Sequence, residues 1–271
     1  MFANLVRINI LKFRKNGFAL WGAIVAFMTT IAFCVVYYIT LKDEPDYFTK
    51  LTGEDENPEL IPHLFFTDMA RGFLGLFYSI CVIVLICDHY SLRERVNLRG
   101  AIRSNFKYTL SELAATFVYA PVFAVVPVIL VDFPVGALGY DCILFTGDVT
   151  KLLLYFAATT LVMWLSIIPA FLIAKIVRRT NYSILFLFVW KFLALILADM
   201  GSVPASKILH ISGNAADRLP DELSNPGMWA INYIIGDDTG MGIYQICSYA
   251  VIFVLLWGTL IYIASRRKEE L

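Results

Sequence analysis

Two charged residues, Lys191 and Asp199, lie within an otherwise apolar run of the sequence, where charged side chains are rare. A charge at the centre of a bilayer costs at least about 2.5 kcal/mol on insertion scales, so such residues commonly line a polar path or pair with another group. The two residues are about two helical turns apart, which is too far for direct pairing along one helix. Lys191 therefore lines a polar path, pairs across a subunit interface, or snorkels towards a membrane surface.

The other residues that could do chemistry form no recognised catalytic or metal-binding pattern. His63, His89 and His210 lie in three different polar segments, and neither H-E-x-x-H nor G-x-S-x-G occurs. The five cysteines include no C-x-x-C spacing, and no basic groove suggests nucleic-acid binding. We therefore expect no catalytic residue, no cofactor-binding residue and no metal ligand in this chain.

The elements that must position Lys191 and Asp199 are long apolar helices. Apolar residues make up 59% of the chain and the mean hydropathy is +0.71, which disfavours a soluble protein with several buried helices. A helix crosses a bilayer with about 20 apolar residues. The first, fourth and sixth of six long apolar runs clearly meet this need, and the fifth is short. Together the six runs predict an all-α membrane protein with one transmembrane domain over 1–271. The predicted spans are 18–41, 66–87, 113–131, 152–174, 183–200 and 243–265.

The polar segments between these runs alternate in charge. The acidic segments include 42–65, 132–148 and 201–242. The basic segments contain Arg7, Lys12, Arg14 and Lys15, then Arg93, Arg95, Arg99, Arg103 and Lys107, then Lys175, Arg178 and Arg179, and finally Arg266, Arg267 and Lys268. Because cytoplasmic loops collect Lys and Arg, the alternation predicts six crossings with both termini in the cytoplasm.

Residues 1–16 carry an apolar stripe at helical spacing, made of Phe2, Val6, Ile10 and Phe13. The stripe predicts an amphipathic helix lying in the membrane interface. The same residues also fit a simple basic extension of the first span.

The outer segment 201–242 combines polar turns with a short apolar stretch. Turns are predicted at Gly213-Asn214, Leu219-Pro220-Asp221 and Asn225-Pro226-Gly227. The stretch 228–235 is too short to span a bilayer, so it predicts a re-entrant or interfacial helix with Trp229 and Tyr233 on one face.

Prolines interrupt two of the predicted spans. Pro121 and Pro127 lie in the third and Pro169 lies in the fourth. A proline frees a backbone carbonyl that must find another partner in lipid. The prolines indicate either a flexing gate or ordinary irregular packing.

The inner segment between the second and third spans is the most specific part of the sequence. It combines apolar residues at helical spacing with charges, which suits a docking surface for a soluble partner as well as a solvated loop. The chain has Asp88 and Tyr90, then Asn97-Leu98-Arg99-Gly100-Ala101-Ile102-Arg103-Ser104, then Tyr108 and Leu110-Ser111-Glu112-Leu113. In these residues the chain resembles the ABC type-2 permease family, bacterial exporter subunits with separate ATPases, although Val96-Asn97 replaces the usual Gly-Thr.

The resemblance implies an N-terminal elbow helix, six spans, a cytoplasmic coupling helix between the second and third spans, and an outer segment that closes the pathway. It implies coupling to the ATPase through Leu92, Arg93, Glu94, Arg95, Leu98, Arg99, Ile102 and Arg103, and an outer gate at Trp229 and Tyr233. No G-x-x-x-x-G-K-[ST] motif occurs, so ATP and Mg would be bound by the partner ATPase.

The resemblance also implies the assembly and the cargo class. The expected partners are two copies of an ABC ATPase, a second permease that is identical or homologous, and membrane lipid. The expected function is outward movement of cargo across a bacterial plasma membrane, with an amphipathic or antimicrobial peptide as one candidate cargo. A membrane scaffold or sensor that docks a cytosolic partner is the alternative function.

The charge alternation predicts the topology directly. Arg95 and Arg179 should be cytoplasmic, and Asp55, Cys142 and Pro220 should be external. Single cysteines at these positions in a Cys-free background, labelled by a membrane-impermeant reagent on intact cells, should react only at the external positions. Labelling at position 95 from outside would contradict the topology.

Overall fold

A computed structural model describes residues 2–43, 61–91, 105–137, 149–211, 214–235 and 241–266. Within these ranges the chain forms ten α-helices and no β-strand, which confirms the all-α prediction for this part of the sequence. The helices are α1 (Phe2–Lys15), α2 (Gly17–Asp43), α3 (Ile61–Ser91), α4 (Asn105–Ala137), α5 (Val149–Ser166), α6 (Ile168–Val177), α7 (Thr180–Leu209), α8 (Asn214–Ser224), α9 (Gly227–Ile235) and α10 (Ile243–Arg266).

Four helical segments of the described residues are long and apolar enough to cross a membrane. They are Asn105–Val125, Val149–Val177, Thr180–Ile208 and Ile243–Arg266. These segments overlap the predicted third to sixth spans, and their length and apolar composition fit a membrane protein. A shorter apolar helix, Gly72–Asp88, lies in the predicted second span.

Helix α3 forms the centre of the bundle, with α2, α4, α5, α6 and α7 packed around it. Its side chains at Leu74, Tyr78, Ile83 and Ile86 are fully buried. The Tyr78 ring stacks on Phe123 of α4, with the ring centroids 4.4 Å apart. Offset aromatic stacking adds to the stabilisation that comes from burying apolar area, so the interface of α3 and α4 forms a well-packed part of the core.

Helices α7 and α10 flank this core. Only 11% of the residues in the apolar stretch of each helix are buried. Their remaining surface is apolar, and it includes Leu185, Phe186, Phe192, Val254 and Leu255. Such a surface is stable only against lipid or against another membrane-embedded protein.

The predicted fourth span is broken near its middle at Ile167, which separates α5 from α6. Pro169 lies in the first turn of α6, where its missing N–H leaves no unsatisfied donor. The Ser79 hydroxyl of α3 lies 3.5 Å from the backbone carbonyl oxygen of Ser166, so a neighbouring helix offers a polar partner at the break. Pro121, in contrast, lies within the continuous helix α4.

One predicted turn is wrong. Leu219-Pro220-Asp221 lies inside α8 and is not a turn. Leu219 is fully buried and packs against Met241 and Ile246, so burial of its side chain outweighs the unfavourable proline next to it. The turn predicted at Asn225-Pro226-Gly227 is confirmed, because it separates α8 from α9.

The packing of α9 on α5 predicts a contrast between two glycines. A Cβ atom on Gly227 would lie 2.8 Å from Val162 Cγ2 and 3.2 Å from the Val162 backbone nitrogen, whereas one on Gly201 would meet nothing within 4 Å. We expect Gly227→Ala to destabilise the protein by about 1–3 kcal/mol through overpacking. Gly201→Ala is the control, and it should be neutral or stabilising because alanine favours the helix.

Thermal unfolding of the purified protein in detergent, followed by tryptophan fluorescence, measures both effects. Equal melting temperatures for the two variants would contradict the close approach of α9 to α5.

Candidate functional site

An ion pair between Glu112 of α4 and Lys175 of α6 is buried at one end of the helix bundle. The two side chains are 1% and 3% exposed, respectively. The Lys175 Nζ atom also lies 5.3 Å from the ring centroid of Phe171 and 5.9 Å from that of Tyr108. Burying a single charge is very unfavourable, whereas a paired and ring-flanked ammonium group is tolerated. The pair therefore joins α4 and α6 at this end.

Helix α1 docks on the same turns of α4. Its Asn9 side chain, 1% exposed, donates a hydrogen bond to the Ser111 hydroxyl at 3.0 Å. The Tyr119 hydroxyl donates to the Ile10 carbonyl at 2.7 Å, and the Tyr119 ring stacks on Phe13. We call Asn9, Ser111, Glu112 and Lys175 the junction cluster.

Sequence reasoning missed the junction cluster. Lys175 was counted as a loop charge, but it lies buried within α6. Asn9 is buried on α1 where an apolar stripe was predicted, while Phe2 of that stripe is 42% exposed. One signal was present, because Glu112 is an acidic residue at the border between the mainly basic inner segment and the predicted third span.

A second site is a cavity of about 600 Å³ between α5, α6, α7 and α10. Its wall is mainly apolar and aromatic, and it includes Trp190, Tyr249, Phe253 and Trp257. Trp190 of α7 and Trp257 of α10 meet edge to face, with the ring centroids 5.8 Å apart. The volume falls in the range of ligand-binding pockets, which is about 300–1,000 Å³.

Lys191 lies in the wall of this cavity and is partly buried. Among the described residues, no hydrogen bond or ion pair to Lys191 is formed. Asp199 is exposed, does not line the cavity and is not brought to Lys191. The structure thus places one of the two predicted intramembrane charges in the cavity and leaves the other outside it.

The far end of the cavity is covered by α8 and α9. Asp221, Ser224, Asn225 and Met228 of this segment line it. The Asn225 side chain donates to the Val162 carbonyl at 3.0 Å, which holds the segment against α5.

A buried carboxylate fixes the same segment to the start of α10. Glu222 is fully buried and accepts hydrogen bonds from the Met241 backbone N–H at 3.1 Å and from Asn232 at 3.3 Å. The Tyr249 hydroxyl donates to the Leu223 carbonyl. The segment is therefore a hydrogen-bonded cap and not a loose loop.

The two predicted gate residues lie in this cap but not in the cavity wall. Trp229 and Tyr233 stack with the ring centroids 5.2 Å apart, as their spacing predicted. The Trp229 indole N–H donates to the Met241 carbonyl at 2.7 Å, and Tyr233 is 67% exposed. Their contacts indicate that they fix the cap, while Met228 faces the cavity.

The predicted coupling residues, Leu92, Arg93, Glu94, Arg95, Leu98, Arg99, Ile102 and Arg103, lie outside the described residues. The sequence matches no protein-family model, and a comparison with curated proteins finds no similar one. The resemblance to the ABC type-2 permeases therefore rests on the inner-segment residues and on the order of the elements.

The buried ion pair predicts a specific pattern of stability. Lys175→Met should lower the free energy of unfolding by about 3–5 kcal/mol, because it leaves the Glu112 carboxylate buried without its partner. Glu112→Leu combined with Lys175→Met should recover most of the loss, because an apolar pair avoids the desolvation of both charges. Lys207→Met, at an exposed position, is the control.

Melting temperatures in detergent measure the pattern. A double variant less stable than Lys175→Met alone would show that Glu112 and Lys175 do not depend on each other.

Proposed function

We propose that this chain is the permease subunit of an ATP-driven exporter of the ABC type-2 class in a bacterial plasma membrane. In this proposal α2, α3, α4, the α5–α6 pair, α7 and α10 are the six spans. Helix α1 is the elbow helix, and both termini are cytoplasmic. The cap formed by α8 and α9 then lies on the outer side.

The observation that carries the proposal is the capped cavity within the spans. A scaffold or sensor needs a docking surface but has no need of a cavity of about 600 Å³ inside its membrane helices. A transporter needs such a space, together with a cover that separates it from the outer solution. Residues of the cap line this cavity, and Glu222 and Asn225 hold the cap in place, so in this proposal the cap supplies that cover.

The junction cluster supports a route for coupling. The proposed coupling residues lead directly into α4, whose first turns carry Ser111 and Glu112. Because Ser111 bonds to α1 and Glu112 pairs with α6, a displacement of this end of α4 would move both neighbours. The first turn of α6, which follows the break at Ile167, carries Pro169 of the cavity wall. A docked ATPase would thus act on the cavity through α4 and α6.

The proposed assembly contains two permeases and two ATPases, with ATP and Mg bound by the ATPases. The exposed apolar faces of α7 and α10 support contact with a second permease, identical or homologous, and with membrane lipid. A pair of permeases would also shield the exposed apolar faces of α7 and α10, which border the cavity, from lipid.

Docking of the ATPase is tested by two substitutions in the inner segment. Leu98→Asp combined with Ile102→Asp should detach the ATPase, because an apolar anchor ringed by charges is replaced by more charge. The membrane part should stay folded because both residues lie outside the predicted spans. The control is Leu51→Asp with Leu60→Asp, which makes the same change in the acidic outer segment.

The ratio of ATPase to permease after extraction in mild detergent gives the result. A fall in this ratio for the inner variant alone supports the proposal. An unchanged ratio with normal transport would remove the coupling role from Leu92–Ser104.

A further inference from the structure

Lys191 places an ammonium group in a part of the cavity wall that is otherwise apolar. Trp190, Trp257 and Phe253 provide apolar surface around it, and no acidic side chain among the described residues pairs with it. A positive charge held in a mainly apolar wall is stabilised by a partner of opposite sign. An anionic group on a bound ligand would supply that partner for Lys191.

The depth of Lys191 restricts what that anion can be. It lies about 16 Å along the axis from the first residue of α7, at about 1.5 Å per residue, which is close to the middle of a hydrocarbon core about 30 Å thick. The phosphate of a phospholipid resting in either leaflet lies at the membrane surface. An anion at Lys191 must therefore be carried into the cavity on an apolar body.

We propose that this cavity is a binding site for an anionic amphiphile, with its carboxylate or phosphate group paired with Lys191 and its apolar chain lying against Trp190, Phe253, Leu256 and Trp257. A charge-assisted hydrogen bond in a water-poor site is roughly twice as strong as a neutral one, so the anionic group supplies selectivity. The aromatic and aliphatic wall supplies affinity without selecting a particular chain.

The other end of the cavity is polar. Asp221, Ser224 and Asn225 of the cap line that end. The Ser224 hydroxyl donates to the Asp221 carbonyl, and the Asn225 amide donates to the Val162 carbonyl. The end of the ligand that is remote from Lys191 therefore faces a polar lining that is already hydrogen-bonded.

The binding site stands on the cavity and on Lys191 alone, and it rests on the proposed function only for the role of the bound amphiphile as cargo. The test therefore omits the ATPase. A loss of binding would contradict this site and leave the transport proposal intact, whereas a missing ATPase partner would contradict the transport proposal and leave this site intact.

The probe is dansyl-labelled undecanoic acid, added to the full chain in nanodiscs of phosphatidylcholine. The chain has five tryptophans. The part of the energy transfer to the dansyl group that is lost in Trp190→Phe with Trp257→Phe therefore reports binding in the cavity. The uncharged primary amide of the same probe is the matched ligand. We expect the carboxylate to bind about tenfold more tightly than the amide, which corresponds to about 1.4 kcal/mol.

Lys191→Met should remove this preference, and Lys191→Arg should keep it because the positive charge is retained. Lys207→Met on the same helix is the control and should bind as the unchanged protein does. Retention of the preference in Lys191→Met, or equal binding of carboxylate and amide by the unchanged protein, overturns the proposal. If Lys191→Met is unstable, Lys191→Arg still tests the proposal, because loss of the preference for the carboxylate in that variant would contradict it.

Two competitors identify the source of the anion. Displacement of the probe by phosphatidylglycerol in the nanodisc points to an anionic phospholipid drawn into the cavity. Displacement by unlabelled lauric acid alone points to a free amphiphile. Both outcomes support an anionic site, and displacement by neither overturns it.

Discussion

The carboxylate of Glu112 and the ammonium group of Lys175 are buried together, and the arrangement of helices at that end of the bundle follows from keeping them paired. In a low-dielectric setting neither charge is tolerated alone, so α4 and α6 are held in one register. Helix α1 then closes the site through Asn9 and Ser111. Three elements that are distant in sequence are joined where the proposed coupling segment enters α4.

The two ends of the bundle are built differently from the region between them. At one end the junction cluster joins α1, α4 and α6, and at the other end Glu222 and Asn225 fix the cap. Between these ends, the cavity separates α7 and α10 from α5, whereas α6 contacts both of them. The edge-to-face contact of Trp190 with Trp257 bridges α7 and α10. A helix bundle that is hydrogen-bonded at both ends and holds a cavity between them fits a protein in which helix movements open and close access to that cavity. The helix break at Ile167 lies beside the same cavity, whose wall includes Ser166 and Pro169.

The helices could be predicted from the sequence because burial in lipid requires continuous apolar runs. Their ends could not, since the predicted third span, 113–131, lies within a helix that extends over Asn105–Ala137. The first turns of this helix, 105–112, were not predicted because they are polar, and they are stabilised by tertiary contacts such as the bond of Asn9 to Ser111. The same reason explains the wrong turn at Pro220, where the burial of Leu219 decides the local structure.

The candidate site was predicted only in part. The unusual charge of Lys191 was visible in the sequence, because a lysine within an apolar run stands out. The cavity around it was not, since its wall comes from helices far apart in the chain. The pairing of Glu112 with Lys175 was likewise invisible, because it links positions 63 residues apart. Hydropathy and charge patterns report local burial, whereas these sites depend on which helices meet.

Native mass spectrometry of the tagged chain, extracted from its own membranes in mild detergent, tests the central claim most directly. A permease of this class predicts a complex that contains two copies of the 30.6 kDa chain, or one copy with a homologous permease, together with two nucleotide-binding subunits. The same preparation should hydrolyse ATP in a vanadate-sensitive manner. A stable species of one chain without a nucleotide-binding partner would contradict the claim.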